Sequence, residues 1–198
     1  TVGDITYLRT DADLPPVAFQ AAFSFLEYRG LTTVTVSADM PWFGQDLSPF
    51  DLAVHEMFHH IGQTGWAREE GQRGTRVPLD WRPRYIRAEM INFMRSELIS
   101  GADLEKAANA YAEWSTTYPH EVKSSADGYE GTARYVEYLG RIFSKRGCGM
   151  TNAELFNEYR KLATDFQGVP GLELDGEGYP AGSLAGFLLD IQGTEWKS

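Results

Sequence analysis

Residues 48–62 read Ser-Pro-Phe-Asp-Leu-Ala-Val-His-Glu-Met-Phe-His-His-Ile-Gly, and no other stretch of the chain constrains its fold as tightly. Ser48 is a strong N-cap, Pro49 suits the first helical position, and Asp51 completes a Ser-x-x-Asp variant of the capping box. Phe50, Val54, Met57, Phe58 and Ile61 recur at helical spacing as an apolar stripe. Gly62 and Gly65 end the run. The pattern predicts a helix opening at Pro49 and stopping at Gly62. On such a helix His55 and His59 stand four residues apart on one face, so both imidazoles reach one metal ion. Glu56 lies on the same side, where it can take a proton from a metal-activated water. Three of the four His fall at 55, 59 and 60. His60 lies off the metal-facing direction and takes no assigned role. The plain alternative is a solvated helix face, but the start signals ahead of the motif supply the context the motif requires.

Outward from this helix the chain reads as α+β. Residues 2–9 alternate as a short strand. Asp13 then caps a helix that opens at Pro15-Pro16 and runs through Phe19, Ala22, Phe23 and Leu26 to a stop at Gly30. Residues 31–38 are rich in β-branched residues, with Val34, Val36 and Ala38 on one face and Thr33, Thr35 and Ser37 on the other, which predicts a strand. Residues 62–80 show no periodicity and predict a long loop. Helices follow at about 83–99, with Ile86, Met90, Phe93 or Met94, and Leu98 inward, and from Asp103 to near Tyr118, where Pro119 stops the run. Two more are expected at about 128–145 and 152–166, the second opened by the capping box Thr151-Asn152-Ala153-Glu154, and a last apolar helix at 180–191. There is no repeat, low-complexity tract or linker. The expectation is a single domain over 1–198, a sheet lobe with the metal helix over 1–66 and a helical lobe over 67–198.

The 198 residues are enough to bury a hydrophobic core. A net charge of −10, with no Lys/Arg run, argues against nucleic acid or anionic lipid as a partner. The single cysteine, Cys148, excludes an internal disulfide and a Cys-built zinc site. No apolar stretch approaches the roughly 18–20 residues that span a bilayer. The first residue is Thr1 rather than Met, as expected of a processed or trimmed chain. Compartment is unknown, with an extracytoplasmic or secreted one favoured, and oligomeric state is unknown.

Two His leave a catalytic zinc one ligand short. A di-iron carboxylate site would need a second Glu-x-x-His, and the only other His, His120, has Thr117 three residues before it. In the extended zincin motif with a third His or Asp six residues on, Gly62 fits the conserved glycine, but Gly65 occupies the ligand position and offers no donor. The third ligand must come from elsewhere. Residues 129–140 read Tyr-Glu-Gly-Thr-Ala-Arg-Tyr-Val-Glu-Tyr-Leu-Gly. Together with His55-Glu56-Met57-Phe58-His59 this resembles the gluzincins, the zincin branch that includes thermolysin and the alanyl-type aminopeptidases, in which a Glu-Gly-x-Ala-x-Tyr-x-Glu-Tyr pattern follows the His-Glu-x-x-His helix. The resemblance implies a zincin-like fold, a small N-terminal mixed sheet packed on the zinc helix and a mainly helical C-terminal lobe, with the metal in the cleft. It makes Glu130 the third zinc ligand. Glu137, seven residues on, is the fallback or a partner to the ligands. Residues 178–189, Gly-Tyr-Pro-Ala-Gly-Ser-Leu-Ala-Gly-Phe-Leu-Leu, resemble the Tyr-x-x-Gly segment of the aminopeptidase branch and point to Tyr179 as an oxyanion donor; a Tyr anchoring a helix by its ring is the competing reading.

Two departures accompany the resemblance. About 70 residues separate His59 from Glu130, against about twenty in that family, so the helices near 83–118 would be an insertion. The Gly-x-Met-Glu-Asn element by which those aminopeptidases hold a free N-terminus is absent, so the sequence does not support exopeptidase activity. The expected chemistry is hydrolysis of a peptide or protein substrate, with Zn2+ on His55, His59 and Glu130 and with Glu56 as general base. Residues 31–38 could bind the substrate by strand addition. The alternative is a non-catalytic zinc-binding or protein-binding module on a peptidase-like fold; a structural protein without metal is the third class.

Overall fold

The computed structural model describes residues 22–37, 48–66, 81–124, 126–165 and 174–197. The expected strand at 2–9, the first half of the expected helix after Asp13, Ala38 and most of the loop to residue 80 lie outside these. The described residues are mainly helical, with one two-stranded antiparallel sheet, an α+β composition. The chain divides into two compact units, Thr1–Met57 and Phe58–Ser198.

In the first unit, β1 (Phe23–Tyr28) and β2 (Leu31–Val36) form a hairpin with Phe23 opposite Val36, Phe25 opposite Val34 and Tyr28 opposite Leu31. The strand expected at 31–38 is therefore present as β2. The helix expected to run through Phe23 and Leu26 to Gly30 is a strand instead. Arg29 (φ 54°) and Gly30 (φ 77°) are the two central residues of the turn, and positive φ at both is what a two-residue hairpin demands. Gly30 is thus a hairpin residue and not a helix stop. Phe25 and Val34, paired across the strands, outweigh the helical spacing of Phe23 and Leu26.

β2 packs against α1 (Pro49–Met57). Its start is as expected: the Ser48 amide and hydroxyl donate to Asp51 Oδ2 at 2.9 and 2.8 Å, and the Asp51 amide returns a bond to Ser48 Oγ. The buried face differs from the expected stripe. Asp51, His55 and Glu56 are buried, whereas Phe50 and Ile61 are exposed.

The second unit begins where the helix widens into a π-helical turn, Phe58–Gly62. Its helices are α2 (Trp81–Ser100), α3 (Leu104–Thr117), α4 (Pro119–Ser124), α5 (Tyr129–Arg146), α6 (Asn152–Asp165) and α7 (Leu174–Ile191). Four match the expected helices within a few residues. Pro119 stops α3 but also opens the short α4, since a residue without an amide hydrogen costs nothing in a first turn. Helix α7 starts before Pro180 rather than at it, so the proline sits inside.

The core of this unit joins α2, α3, α5, α6 and α7 through Met90, Leu98, Ala107, Tyr135, Tyr159, Leu184 and Phe187. Met94, not Phe93, is the residue buried at that turn of α2. Helices α5 and α7 cross closely: a Cβ on Gly131 would stand 2.5 Å from the Gly182 Cα. Both glycines are therefore required by the approach of two backbones.

A buried charge cluster holds the start of α5. Arg87, fully buried, stacks over the Trp114 ring at 4.4 Å and grips both carboxylate oxygens of Asp127. Arg84 and Arg87 both reach Glu177 on α7, and Arg84 also reaches Glu121 on α4, to which the Trp114 indole donates at 2.8 Å. Burial would favour neutral Arg87, but Asp127 and Glu177 hold its pKa above the usual value. The turn gripped through Asp127 also supplies the Ala126 carbonyl, which accepts the Glu130 and Gly131 amides. The helices expected to be a mere insertion thus fasten the turn from which Glu130 projects.

Candidate metal centre

His59 sits in the π-turn, where π-helical hydrogen bonding (Gln63 amide to Phe58 carbonyl, 3.1 Å) replaces the α pattern. Such turns recur at functional positions. The His59 ring lies flat on the Tyr129 ring, 4.4 Å between centroids and 11° between planes. Its Nδ1 is 2.6 Å from Gln63 Oε1, and its Nε2 is 3.3 Å from Glu130 Oε2. Glu130 is buried in the first turn of α5. His55, one turn before His59, is buried in α1. His55, His59 and Glu130 each offer a ligand atom, and these atoms all lie within 4.8 Å of one another. The three residues named from the sequence as ligands come together as a group that can hold a metal ion.

The donor chemistry fits a cation. Gln63, also buried, donates from Nε2 to the Tyr129 carbonyl and to Thr132 Oγ1, both at 2.7 Å. Both amide hydrogens are thereby engaged, so the Gln63 oxygen is what faces His59. An amide oxygen only accepts, so Nδ1 is a ring nitrogen that carries a proton toward Gln63. Nε2 faces the Glu130 carboxylate oxygen in a buried place, so a positive charge, a ring proton or a metal ion, belongs between them. A tetrahedral ion with ligand bonds of about 2.0–2.1 Å separates its ligands by about 3.3–3.4 Å. The 3.3 Å between His59 Nε2 and Glu130 Oε2 matches that edge.

Glu137, the fallback ligand, is buried but outside this group; its carboxylate is paired with Arg134 at 2.5 Å and reached by Arg141 at 3.5 Å. Glu56 is buried, directly after His55. Tyr179 lies in α7 beside the crossing with Gly131, and the Arg134 guanidinium stands over its ring at 5.3 Å. The Tyr179 carbonyl accepts from Ser183 Oγ at 2.7 Å. Gln63 was not singled out from the sequence, where it falls in a glycine-rich stretch. The signal for it was its position four residues after His59, one turn along the same helical run.

No described helix is long and apolar enough to cross a membrane. No family model, curated protein or solved structure matches the chain.

Proposed function

We propose that the chain is a zinc-dependent peptidase of gluzincin type, with His55, His59 and Glu130 as ligands, Glu56 as general base and Tyr179 as oxyanion donor. The observation that carries this reading is the gathering of His55, His59 and Glu130, with His59 Nε2 3.3 Å from Glu130 Oε2, on a run that also places Glu56 next to the first His. Two imidazoles and one carboxylate are a donor set that suits catalytic zinc and leaves room for a fourth ligand. When bound, the ion supplies a Lewis acid and lowers the pKa of a water molecule toward neutrality.

The chain's own residues do the rest. Glu56 takes the proton from the water as its oxygen attacks the peptide carbonyl carbon, then gives that proton to the departing amine nitrogen as the C–N bond breaks. The Tyr179 hydroxyl donates a hydrogen bond to the oxygen that gains negative charge in the tetrahedral intermediate. Burial of Glu56 keeps it from bulk water. The β2 edge remains the proposed place for an extended substrate to add as a strand.

The test is hydrolysis of a mixed peptide library by zinc-loaded protein, with cleavage read by mass spectrometry. Cleavage that is abolished by a chelator and restored by zinc supports the peptidase. Zinc bound at one per chain without any cleavage would move the protein to the non-catalytic zinc-binding alternative.

A further inference from the structure

We infer that Gln63 is a positioning residue that fixes the ring orientation and tautomer of His59, so that Nε2 and not Nδ1 is the atom offered to a metal. For its metal arm this rests on the zinc reading above; for its tautomer arm it does not.

Tyr129 and Gln63 both touch the His59 ring, beside Glu130 at Nε2. Tyr129 sets its plane by stacking, and a stacked ring can still turn within that plane or move its proton between nitrogens. Gln63 removes that freedom. Its amide cannot flip, because a flipped amide would oppose its oxygen to the Tyr129 carbonyl, now a 2.7 Å acceptor for Nε2. Thr132 closes the chain: its hydroxyl accepts from Gln63 and donates to the Gly128 carbonyl at 2.5 Å. Proton direction is thus fixed from the Gly128 carbonyl through Thr132 and Gln63 to His59 Nδ1–H. The same amide links the π-turn to the first turn of α5. One side chain therefore sets both the donor atom of His59 and the spacing of that turn from Glu130. A ring nitrogen held as a hydrogen-bond donor makes the opposite nitrogen the stronger ligand, and removing such a partner lowers metal affinity about 10–100-fold.

The experiment uses metal-free full-length chain and two variants, Gln63→Met, which keeps the volume and removes every hydrogen bond, and Gln63→Glu, which keeps an acceptor for Nδ1–H. Long-range 1H–15N correlation spectra in mildly alkaline buffer read the His59 tautomer without metal or activity. Zinc affinity is then measured by competition with a chromophoric chelator. Wild type should show the proton on Nδ1; Gln63→Met should show mixed tautomers and a 10–100-fold weaker zinc affinity, while Gln63→Glu should keep the tautomer. A proton on Nε2 in metal-free wild type overturns the inference with no variant needed. An unchanged tautomer and affinity in folded Gln63→Met overturns it equally. Wild type that shows the Nδ1–H tautomer yet binds no zinc leaves Gln63 as the orienting residue and defeats the zinc reading instead.

Discussion

At the scale of residues, the buried carboxylates divide by what faces them. Glu130 faces His59 Nε2, whereas Glu137 faces Arg134. Replacing Glu130 by Ala should abolish zinc binding and leave folding of the apo-chain nearly unchanged. Replacing Glu137 by Ala should keep zinc but destabilise by about 3 kcal/mol, since a buried pair loses one partner; urea unfolding beside metal analysis separates the two outcomes. Glu56→Gln should retain zinc and lower kcat by about 10²–10⁴-fold, the range for loss of a general base. Undiminished turnover in that variant would remove Glu56 from the mechanism. His55 and His59 were legible in the sequence because a metal motif on a helix needs a strict residue spacing. Glu130 was legible only through a resemblance, since nothing local brings residue 130 to residue 59. Gln63 was missed because its role lies in bonds to Tyr129 and Thr132, more than sixty positions away.

At the scale of elements, the strongest readings were those with chemical punctuation at a boundary. Both capping boxes, at Ser48 and at Thr151, form as expected. The hairpin was misread because Gly30 serves equally as a helix stop or a turn residue, and the partner strand decides which. Gly30→Val should therefore cost about 1–2 kcal/mol, the order of placing a β-branched residue at positive φ, and should weaken the hairpin. Helix α7 extends past Pro180 because Glu177 is tied to Arg84 and Arg87, so tertiary contacts hold a turn that propensity alone would end. Gly131→Ala should destabilise by about 1–3 kcal/mol, because a methyl group meets the Gly182 backbone and not a side chain that can turn away. Thermal melts of the single variants read both.

At the scale of the whole molecule, the second unit combines an apolar helical core with a buried charge cluster, and the cluster makes a pH prediction. Burial raises the Glu177 pKa from 4.5 to about 7, against the pull of Arg84 and Arg87. The folded chain then holds a proton that the unfolded chain releases near 4.5, so this contribution to stability is full below that pH and is lost as pH rises through about 7. Between those values the slope from this one group is about −1 kcal/mol per pH unit. The stability curve of Glu177→Gln should be flatter than wild type by that amount over the same window, and curves of equal slope would refute the raised pKa. The α+β composition and most helices were legible in periodicity, while the charge cluster was not, because it is assembled from four segments whose charges look solvated when read singly. The central claim is that His55, His59 and Glu130 hold a metal, and elemental analysis of wild type, Glu130→Ala and Glu137→Ala after zinc loading and dialysis tests it most directly. One zinc per chain is expected in wild type and in Glu137→Ala and none in Glu130→Ala; folded wild type that retains no zinc would refute the site.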